Sequence, residues 1–178
     1  MSADAELLEA WRGGDRTAGR ALFDRHFAKI HRFFHNKVSV GVDDLVQQTF
    51  LACTESRDGY RGEASFRAWL FGIAHNVLRM HLRGKHGDFD PSLHSVCDLG
   101  PSPSAMVMAR AEQRLLLEGL RRIPLDYQVV LELHFWEHMS GSEIAAALAI
   151  PEGTVRTRLR RGRIVLGEQV QALAAEPA

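Results

Sequence analysis

Cysteine is scarce in this sequence: its two cysteines, Cys53 and Cys97, stand far apart and form no Cys-x-x-Cys spacing. A disulfide framework and a cysteine-rich zinc site are therefore excluded, and the cysteine content fits a reducing compartment. Long apolar runs are also lacking, since none approaches the roughly 20 residues that a membrane-spanning helix needs. The first residues are acidic where a secretory leader would be basic and then apolar. We therefore expect a cytoplasmic protein without direct membrane insertion.

Net charge is absent as well, because 22 basic side chains balance 22 acidic ones among 178 residues. This balance disfavours a protein that coats nucleic acid through bulk electrostatic attraction. The charges are nevertheless unevenly distributed. Five arginines and one acid lie between Glu152 and Arg163, whereas residues 87–109 hold three aspartates and neither lysine nor arginine. Any contact with DNA is therefore expected to be local.

The sequence also lacks the alternation of apolar and polar residues that predicts half-buried β-strands. Apolar residues instead recur at helical spacing on both sides of residues 87–109, a stretch rich in Gly, Pro, Ser and Asp that predicts a linker. The predicted fold class is all-α. We expect two small helical domains, residues 1–86 and 110–173, joined by a flexible linker over 87–109.

The C-terminal part has the pattern of a helix-turn-helix. Ser140 and Glu143 have the spacing of a capping box, which predicts a short helix ending near Leu148. A turn ending at Pro151 precedes a longer helix. Its predicted inward stripe consists of Val155, Leu159, Gly162 and Leu166.

Several arginines of this second helix are predicted to point away from the inward stripe. The residues opposite the stripe are Arg156, Thr157, Arg160 and Arg161, with Arg158 near its edge. Guanidinium groups can donate paired hydrogen bonds to guanine or phosphate, and a helix fits the major groove. The pattern favours DNA binding over the alternative of a solvated basic face.

Two helices of the N-terminal part have distinctive polar surfaces. The helix predicted from Asp43 to about Ser56 buries Leu45, Val46, Thr49, Phe50 and Cys53 and exposes Asp43, Asp44, Gln47 and Gln48. A second helix, beginning at Phe66, is predicted to face inward with Trp69, Leu70, Ile73, Val77 and Met80. Its predicted outward stripe is Ala68, Gly72, His75, Arg79 and Arg83.

A small polar loop, Arg61 to Ser65, precedes the second helix and lies next to aromatic residues. Such a loop could hold an extruded base through hydrogen bonds, and the outward cations could follow a phosphate backbone. The residues alone leave open an ordinary amphipathic helix with its N-terminal cap.

Three stretches resemble signature segments of the extracytoplasmic-function (ECF) sigma factors, in the sigma-70 family of bacterial RNA polymerase sigma factors. They are DLVQQTFL (44–51), YRGEASFRAWLFGIAHN (60–76) and MSGSEIAAALAIPEGTVRTRL (139–159), and they occur in family order. With the intervening helices, the resemblance covers about residues 5–172. It implies an alternative sigma factor that directs promoter-specific transcription initiation, without enzymatic activity, a cofactor or a metal.

The resemblance also implies three functional surfaces. A polymerase-binding face would dock on the β′ clamp helices of core RNA polymerase, which also contacts the factor through its β subunit; it comprises Asp43, Asp44, Gln47 and Gln48. A −10 surface would recognise and melt the −10 promoter element; it comprises Arg61, Gly62, Glu63, Ser65, Trp69, His75, Asn76, Arg79 and Arg83. A −35 surface would recognise the −35 element; it comprises Thr154, Arg156, Thr157, Arg158, Arg160 and Arg161. An anti-sigma factor is the other implied partner.

Three residues depart from the family pattern. The family commonly has Glu in place of Gln48, Gly in place of His138 and a bulky aromatic in place of Gly141. The first departure weakens any expectation that a carboxylate at position 48 pairs with a polymerase cation. The other two affect the entry to the helix-turn-helix and leave its second helix unchanged.

Two other functions have less support. A regulator with an N-terminal sensing domain would need parallel strands and an acidic phosphorylation pocket, which residues 1–86 do not predict. A metalloenzyme is suggested by the pairs His31/His35 and His134/His138, each of which shares one helical face. Zinc catalysis requires a third ligand, and neither pair has the His-Glu-x-x-His pattern.

Overall fold

A computed structural model of the chain describes residues 2–100 and 110–176. These residues form eight α-helices and two short 3-10 helices and contain no β-strand, which confirms the all-α prediction. The α-helices are α1 (Ala3–Arg12), α2 (Arg16–His35), α3 (Val42–Ser56), α4 (Phe66–Lys85), α5 (Ala111–Arg122), α6 (Leu125–Phe135), α7 (Gly141–Leu148) and α8 (Glu152–Ala175). The 3-10 helices are Arg57–Gly59 and Val96–Leu99.

Helices α1 to α4 form an N-terminal bundle, and side chains cap the starts of α1, α2 and α4. The carboxylate of Asp15 accepts hydrogen bonds from the first turn of α2, and the hydroxyl of Ser65 accepts one from Ala68 N in α4. Helix α3 buries the five residues predicted for it and exposes the four predicted polar ones. The core of this bundle includes the fully buried side chains Leu22, Ile30, Phe34 and Leu70.

The helix-turn-helix has the predicted organisation. Ser140 and Glu143 form the capping box of α7, and α8 begins directly after Pro151. Val155 and Gly162 are buried, and Leu159 and Leu166 are half-buried, which confirms the inward stripe of α8. The arginine-rich side of that helix therefore faces away from the body of the protein.

His138 lies in a strained position between α6 and α7. Its backbone has a φ of 52°, in the left-handed region that side chains other than glycine adopt at a cost of about 1 kcal/mol or more. The glycine commonly found at this position in ECF sigma factors suits that conformation better. A histidine instead of a glycine at position 138 thus strains the backbone locally.

The predicted linker, 87–109, is described as far as Gly100, and residues 101–109 lie outside the described residues. Val96 is only 1% exposed and belongs to the same hydrophobic cluster as the N-terminal bundle. The backbone N–H groups of Leu125 and Asp126 donate to the carbonyls of His94 (3.1 Å) and Pro91 (2.9 Å). These bonds satisfy the first two N–H groups of α6, which have no intrahelical acceptor.

The two halves of the chain pack against each other through α4 and α7. Ile144, Leu148 and Val155 join the core residues of the N-terminal bundle in one hydrophobic cluster. The backbones approach most closely at Gly72, where an added Cβ would lie 2.7 Å from the carbonyl oxygen of Ala147. No ordinary Cβ contact is that short, so this approach requires glycine.

Two sequence predictions for α4 are wrong. Met80, predicted to face inward, is 75% exposed, whereas Ala68 and His75, predicted to face outward, are buried. The C-terminal half supplies the physical reason, because it covers the side of α4 that carries Ala68, Gly72 and His75. Helical periodicity finds a helix but does not specify which of its sides a distant segment will cover.

Replacing Gly72 by Ala should separate the two halves. Ala favours a helix, but its Cβ would collide with the backbone of α7. We expect a larger radius of gyration in small-angle X-ray scattering. Gly84→Ala is the matched control, since Gly84 lies in the same helix with nothing within 4 Å of an added Cβ. Equal radii of gyration for the two variants would contradict the packing.

Candidate nucleic-acid interface

The polymerase-binding face is fully open in this structure. Asp43, Asp44, Gln47 and Gln48 are all exposed, and the two aspartates lie in the first turn of α3, where negative charge complements the helix dipole. Leu51 lies one turn beyond Gln47 and is 56% exposed. Sequence reasoning did not single out Leu51, although an apolar residue four positions after Gln47 was a usable signal. The face therefore has both polar and apolar groups for a protein partner.

The loop of the −10 surface is a tight turn ending at the cap of α4. Gly62 has a φ of 75°, which a glycine adopts without strain, and its neighbours Arg61 and Glu63 are exposed. Trp69 is half-buried, with its ring centroid 4.8 Å from that of Tyr60. The loop thus lies beside two packed aromatic rings, and its side chains at Arg61 and Glu63 are accessible.

The remaining −10 residues divide between solvent and the interior. Asn76, Arg79 and Arg83 are exposed along α4, whereas His75 is 8% exposed. Burial, and after it the neighbouring cations Arg79, Lys37 and Arg158, lower the pKa of His75 to about 4. Only part of the −10 surface is therefore accessible.

Helix α7 covers this end of the −10 surface through a polar contact. Glu143 Oε1 accepts hydrogen bonds from Ser65 Oγ (3.1 Å) and Arg67 Nη2 (3.0 Å), while Arg67 Nη1 donates to Glu137 O (2.9 Å). Burial alone would raise the pKa of Glu143, but the bonds from Ser140 and Arg67 outweigh it and lower the pKa. Arg67 was missed from the sequence because its partners lie 70 or more residues away.

A second polar contact between the halves is buried. The carboxylate of Glu132 in α6 pairs with Lys37, and it accepts hydrogen bonds from Asn36 Nδ2 (2.8 Å) and Gln128 Nε2 (2.9 Å). Lys37 and Glu132 are each about 2% exposed. Burial lowers the pKa of Lys37, and the charge of Glu132 opposes that shift. The residues following α2 are thereby attached to the centre of the C-terminal half.

The −35 surface is mostly accessible. Arg156, Thr157, Arg160 and Arg161 are exposed on α8, as the sequence predicts, while Thr154 and Arg158 are half-buried. Arg158 Nη2 lies 2.6 Å from Asp126 Oδ2 in α6. Burial raises the pKa of Asp126 against the opposing charge of Arg158. Arg158 is thus already engaged within the protein, whereas Arg156, Arg160 and Arg161 are exposed.

An apolar groove of about 620 Å³ lies on the C-terminal half of the chain. It is formed between α5, α6 and α8, and its apolar lining consists of Leu116, Leu120, Leu131, Phe135, Trp136, Leu166 and Val170. Leu116 and Phe135 are 41% and 49% exposed. These large apolar groups form a concave surface suited to a helical segment of another protein.

The described residues contain neither a metal-binding cluster nor a membrane-spanning helix. Across residues 2–100 and 110–176, no three or more His, Cys, Asp or Glu side chains are grouped in a way that could hold a metal ion. In the same ranges no helix is both long and apolar enough to cross a membrane.

Comparison with known proteins matches both halves of the chain to one family. The family description "Sigma-70 region 2" matches residues 22–87, and "Sigma-70, region 4" matches residues 113–166. The ECF RNA polymerase sigma-E factor of Salmonella typhimurium (strain LT2) is 28% identical over 182 residues, covering 96% of this chain and 95% of that protein. The chain belongs to the ECF sigma factors. As an alternative sigma factor, it directs promoter-specific transcription.

Solved structures support the same fold for this sigma factor. The structure of CnrH in complex with the cytosolic domain of CnrY has a TM-score of 0.71 and 26% identity, covering 96% of this chain and 99% of that one. RpoE in complex with the anti-sigma factor NepR, from Bartonella quintana, has a TM-score of 0.66 at 20% identity, covering 85% of this chain and 96% of that one. The latter likeness shows the fold alone.

The sigma factor should open as pH falls, because the packed form keeps His75 neutral. An exposed histidine has a pKa near 6.5, so a form that releases His75 binds a proton below that pH, whereas the packed form does so only near pH 4. The packed form therefore loses stability as pH falls from about 7 towards 4. At pH 5.5 the ratio of open to packed protein should rise about tenfold.

This pH response can be measured by energy transfer between dyes at Glu55 in α3 and Glu168 in α8, both of which are exposed. Transfer should fall between pH 7.5 and 5.5 in the wild type. The response should be much smaller in His75→Asn and unchanged in His86→Asn, since His86 is exposed just after the same helix. Equal responses of the two variants would remove His75 as the cause.

Proposed function

We propose that this sigma factor binds core RNA polymerase through its polymerase-binding face and recognises and melts the −10 element through its −10 surface. Its −35 surface recognises the −35 element. Residues 1–86 and 110–173 act as two domains joined by residues 87–109, in the cytoplasm where the polymerase works. The observation that supports this proposal most strongly is the row of exposed Arg and Thr side chains on α8, opposite the buried Val155 and Gly162.

The packed arrangement bears directly on how these surfaces are used. Glu143 accepts hydrogen bonds from Ser65 and Arg67, and His75 is buried. The start of α4 therefore cannot bind DNA while α7 packs against it. The polymerase-binding face and most of the −35 surface remain exposed in the same state. Polymerase therefore binds first through α3, and separation of the halves then releases the −10 surface.

An anti-sigma factor is the second proposed partner. RpoE and CnrH, which share this fold, were each solved with a partner protein, and the partner of RpoE is described as an anti-sigma factor. The apolar groove on the C-terminal half offers such a partner a contact that leaves the packed arrangement intact. Co-purification from the source cell should recover polymerase subunits and a small stoichiometric protein. Recovery of polymerase alone from unstressed and stressed cells would contradict this part of the proposal.

Removing the guanidinium of Arg156 or Arg160 should weaken recognition of the −35 element by about 1–3 kcal/mol if the side chain contacts a base. A phosphate contact would cost less and leave sequence preference unchanged. Holoenzyme binding to −35 variants of a selected promoter measures both effects. Arg20→Ala is the control, because Arg20 is exposed on α2, outside the three surfaces.

Variants of Thr157 and Arg158 can be compared in the same binding measurement. Thr157 Oγ1 donates to Gly153 O (3.0 Å), and Arg158 pairs with Asp126, so each has a partner within the protein. We expect Arg158→Ala to change −35 preference less than Arg156→Ala does. Unchanged preference in Arg156→Ala, Thr157→Ala and Arg160→Ala would remove base recognition from this surface.

Altering Glu63, Ser65 or Asn76 should reduce open-complex formation while polymerase binding stays nearly intact. Separating DNA strands costs about 1.4 kcal/mol per base-pair step, so the protein must hold the exposed strand to offset that cost. Permanganate footprints of unpaired thymines should weaken for Glu63→Gln, Ser65→Ala and Asn76→Ala. Glu55→Gln, an exposed carboxylate of α3, is the control.

Pre-melted promoter DNA separates two components of this effect. It should restore much of the contribution of backbone contacts, because no strand separation is then needed, but it should not restore base-specific contacts. Normal footprints in all three variants would show that these residues do not melt DNA.

A further inference from the structure

Helix α1 contacts the segment that leads into the −10 loop. Arg12, at the end of α1, donates from Nε (3.1 Å) and Nη2 (2.7 Å) to the carbonyl of Arg57, and from Nη2 to the carbonyl of Tyr60. Both carbonyls follow the C-terminal end of α3, where partial negative charge collects and a cation is favoured. Arg57 in turn lies over the ring of Trp11, 5.0 Å from its centroid. Arg12 is 24% exposed, so this guanidinium is largely withdrawn from water.

Tyr60 connects Arg12 to the loop itself. Its hydroxyl donates a hydrogen bond to the carbonyl of Ala64, which closes the turn over Arg61, Gly62 and Glu63. Its ring packs against Trp69 in the first turn of α4 and lies 5.7 Å from the guanidinium carbon of Arg12. Both ends of the loop are therefore held by one aromatic side chain, and that side chain is held by α1.

We propose that Arg12 and Tyr60 act as a clamp that positions the −10 loop in its DNA-binding conformation and couples it to the C-terminal end of α3. This inference rests on the proposed role of the −10 surface. Arg12 and Tyr60 are positioning residues, since they act through the backbone of the loop. Neither is among the residues assigned to DNA, and α1 lies before the stretch matched to region 2, residues 22–87.

The geometry explains why a loop with a glycine at its centre needs such a clamp. A five-residue loop with Gly62 at a φ of 75° has many accessible conformations if nothing holds it, and binding a base would require ordering it in one of them. If the loop is already held in place, its conformational entropy is lost during folding rather than during DNA binding. The clamp should therefore affect the affinity for single-stranded DNA more than it affects overall stability.

The test compares holoenzymes made with Tyr60→Phe, Arg12→Met and Arg25→Met. Tyr60→Phe retains the ring and deletes only the hydroxyl bond to Ala64, and Arg12→Met retains length and apolar bulk but removes the donors. Arg25→Met is the matched control, because Arg25 pairs with Asp4 and attaches α1 to α2 without contacting the loop. Glu63→Gln and Ser65→Ala report on the loop function itself.

The probe is a fluorescent single-stranded oligonucleotide that spans the −10 element of a promoter selected by the wild-type holoenzyme from randomised DNA. Tyr60→Phe and Arg12→Met should each bind it about fivefold more weakly, because the loop must then be ordered when the DNA binds. Their affinities for a −35 duplex and for core polymerase should be unchanged. A 2-aminopurine placed in the −10 strand should show less of the fluorescence increase that accompanies unstacking.

Three results would overturn the inference. Wild-type affinity in both clamp variants, with weakened binding in Ser65→Ala, would show that the loop binds DNA without the clamp. An equal loss in Arg25→Met would show that only the attachment of α1 matters. Wild-type affinity in Glu63→Gln and Ser65→Ala would instead remove the proposed loop function on which the clamp depends.

Discussion

The close approach of α4 and α7 at Gly72 is the constraint on which the rest of this structure depends. Helix α4 packs on one side within the N-terminal bundle, and a second side, marked by Ala68, Gly72 and His75, lies under the C-terminal half. Because Gly72 lets the two backbones meet, Ile144 and Leu148 can enter the same core as Leu70. The residues proposed to melt DNA and the helix-turn-helix proposed to bind it thus restrict each other.

The polar contacts between the halves are specific without being strongly stabilising. Lys37 and Glu132 are both desolvated, and the cost of removing two charges from water offsets much of their attraction, although the loss of either partner would leave a buried charge. Glu143 with Arg67 is more exposed and contributes less. A polymerase that binds the separated form more tightly than the packed form can therefore shift the population by its differential affinity.

Features set by neighbours in sequence were predictable, and features set by distant segments were not. The buried and exposed sides of α3 and the capping box of α7 follow from residues within a few turns of each other. The buried side of α4 was predicted wrongly because the helix that covers its second side is about 75 residues away. The burial of Glu132 could not be predicted either, because α6 is buried on most sides and has no polar face to indicate it. Composition identified residues 87–109 as a connection but could not show that His94 and Pro91 bond to the start of α6.

The distance between α4 and α7 in the free protein and in the promoter complex tests the central claim most directly. Spin labels at Met80→Cys and Ala146→Cys occupy exposed positions on the two helices, with Cys97 replaced by Ser. Cys53 can remain, because burial raises the pKa of its thiol to about 12 and keeps it unreactive. Double electron–electron resonance should give one short distance in the free protein and a longer one in the holoenzyme on promoter DNA. The same distance distribution in both states would contradict the account.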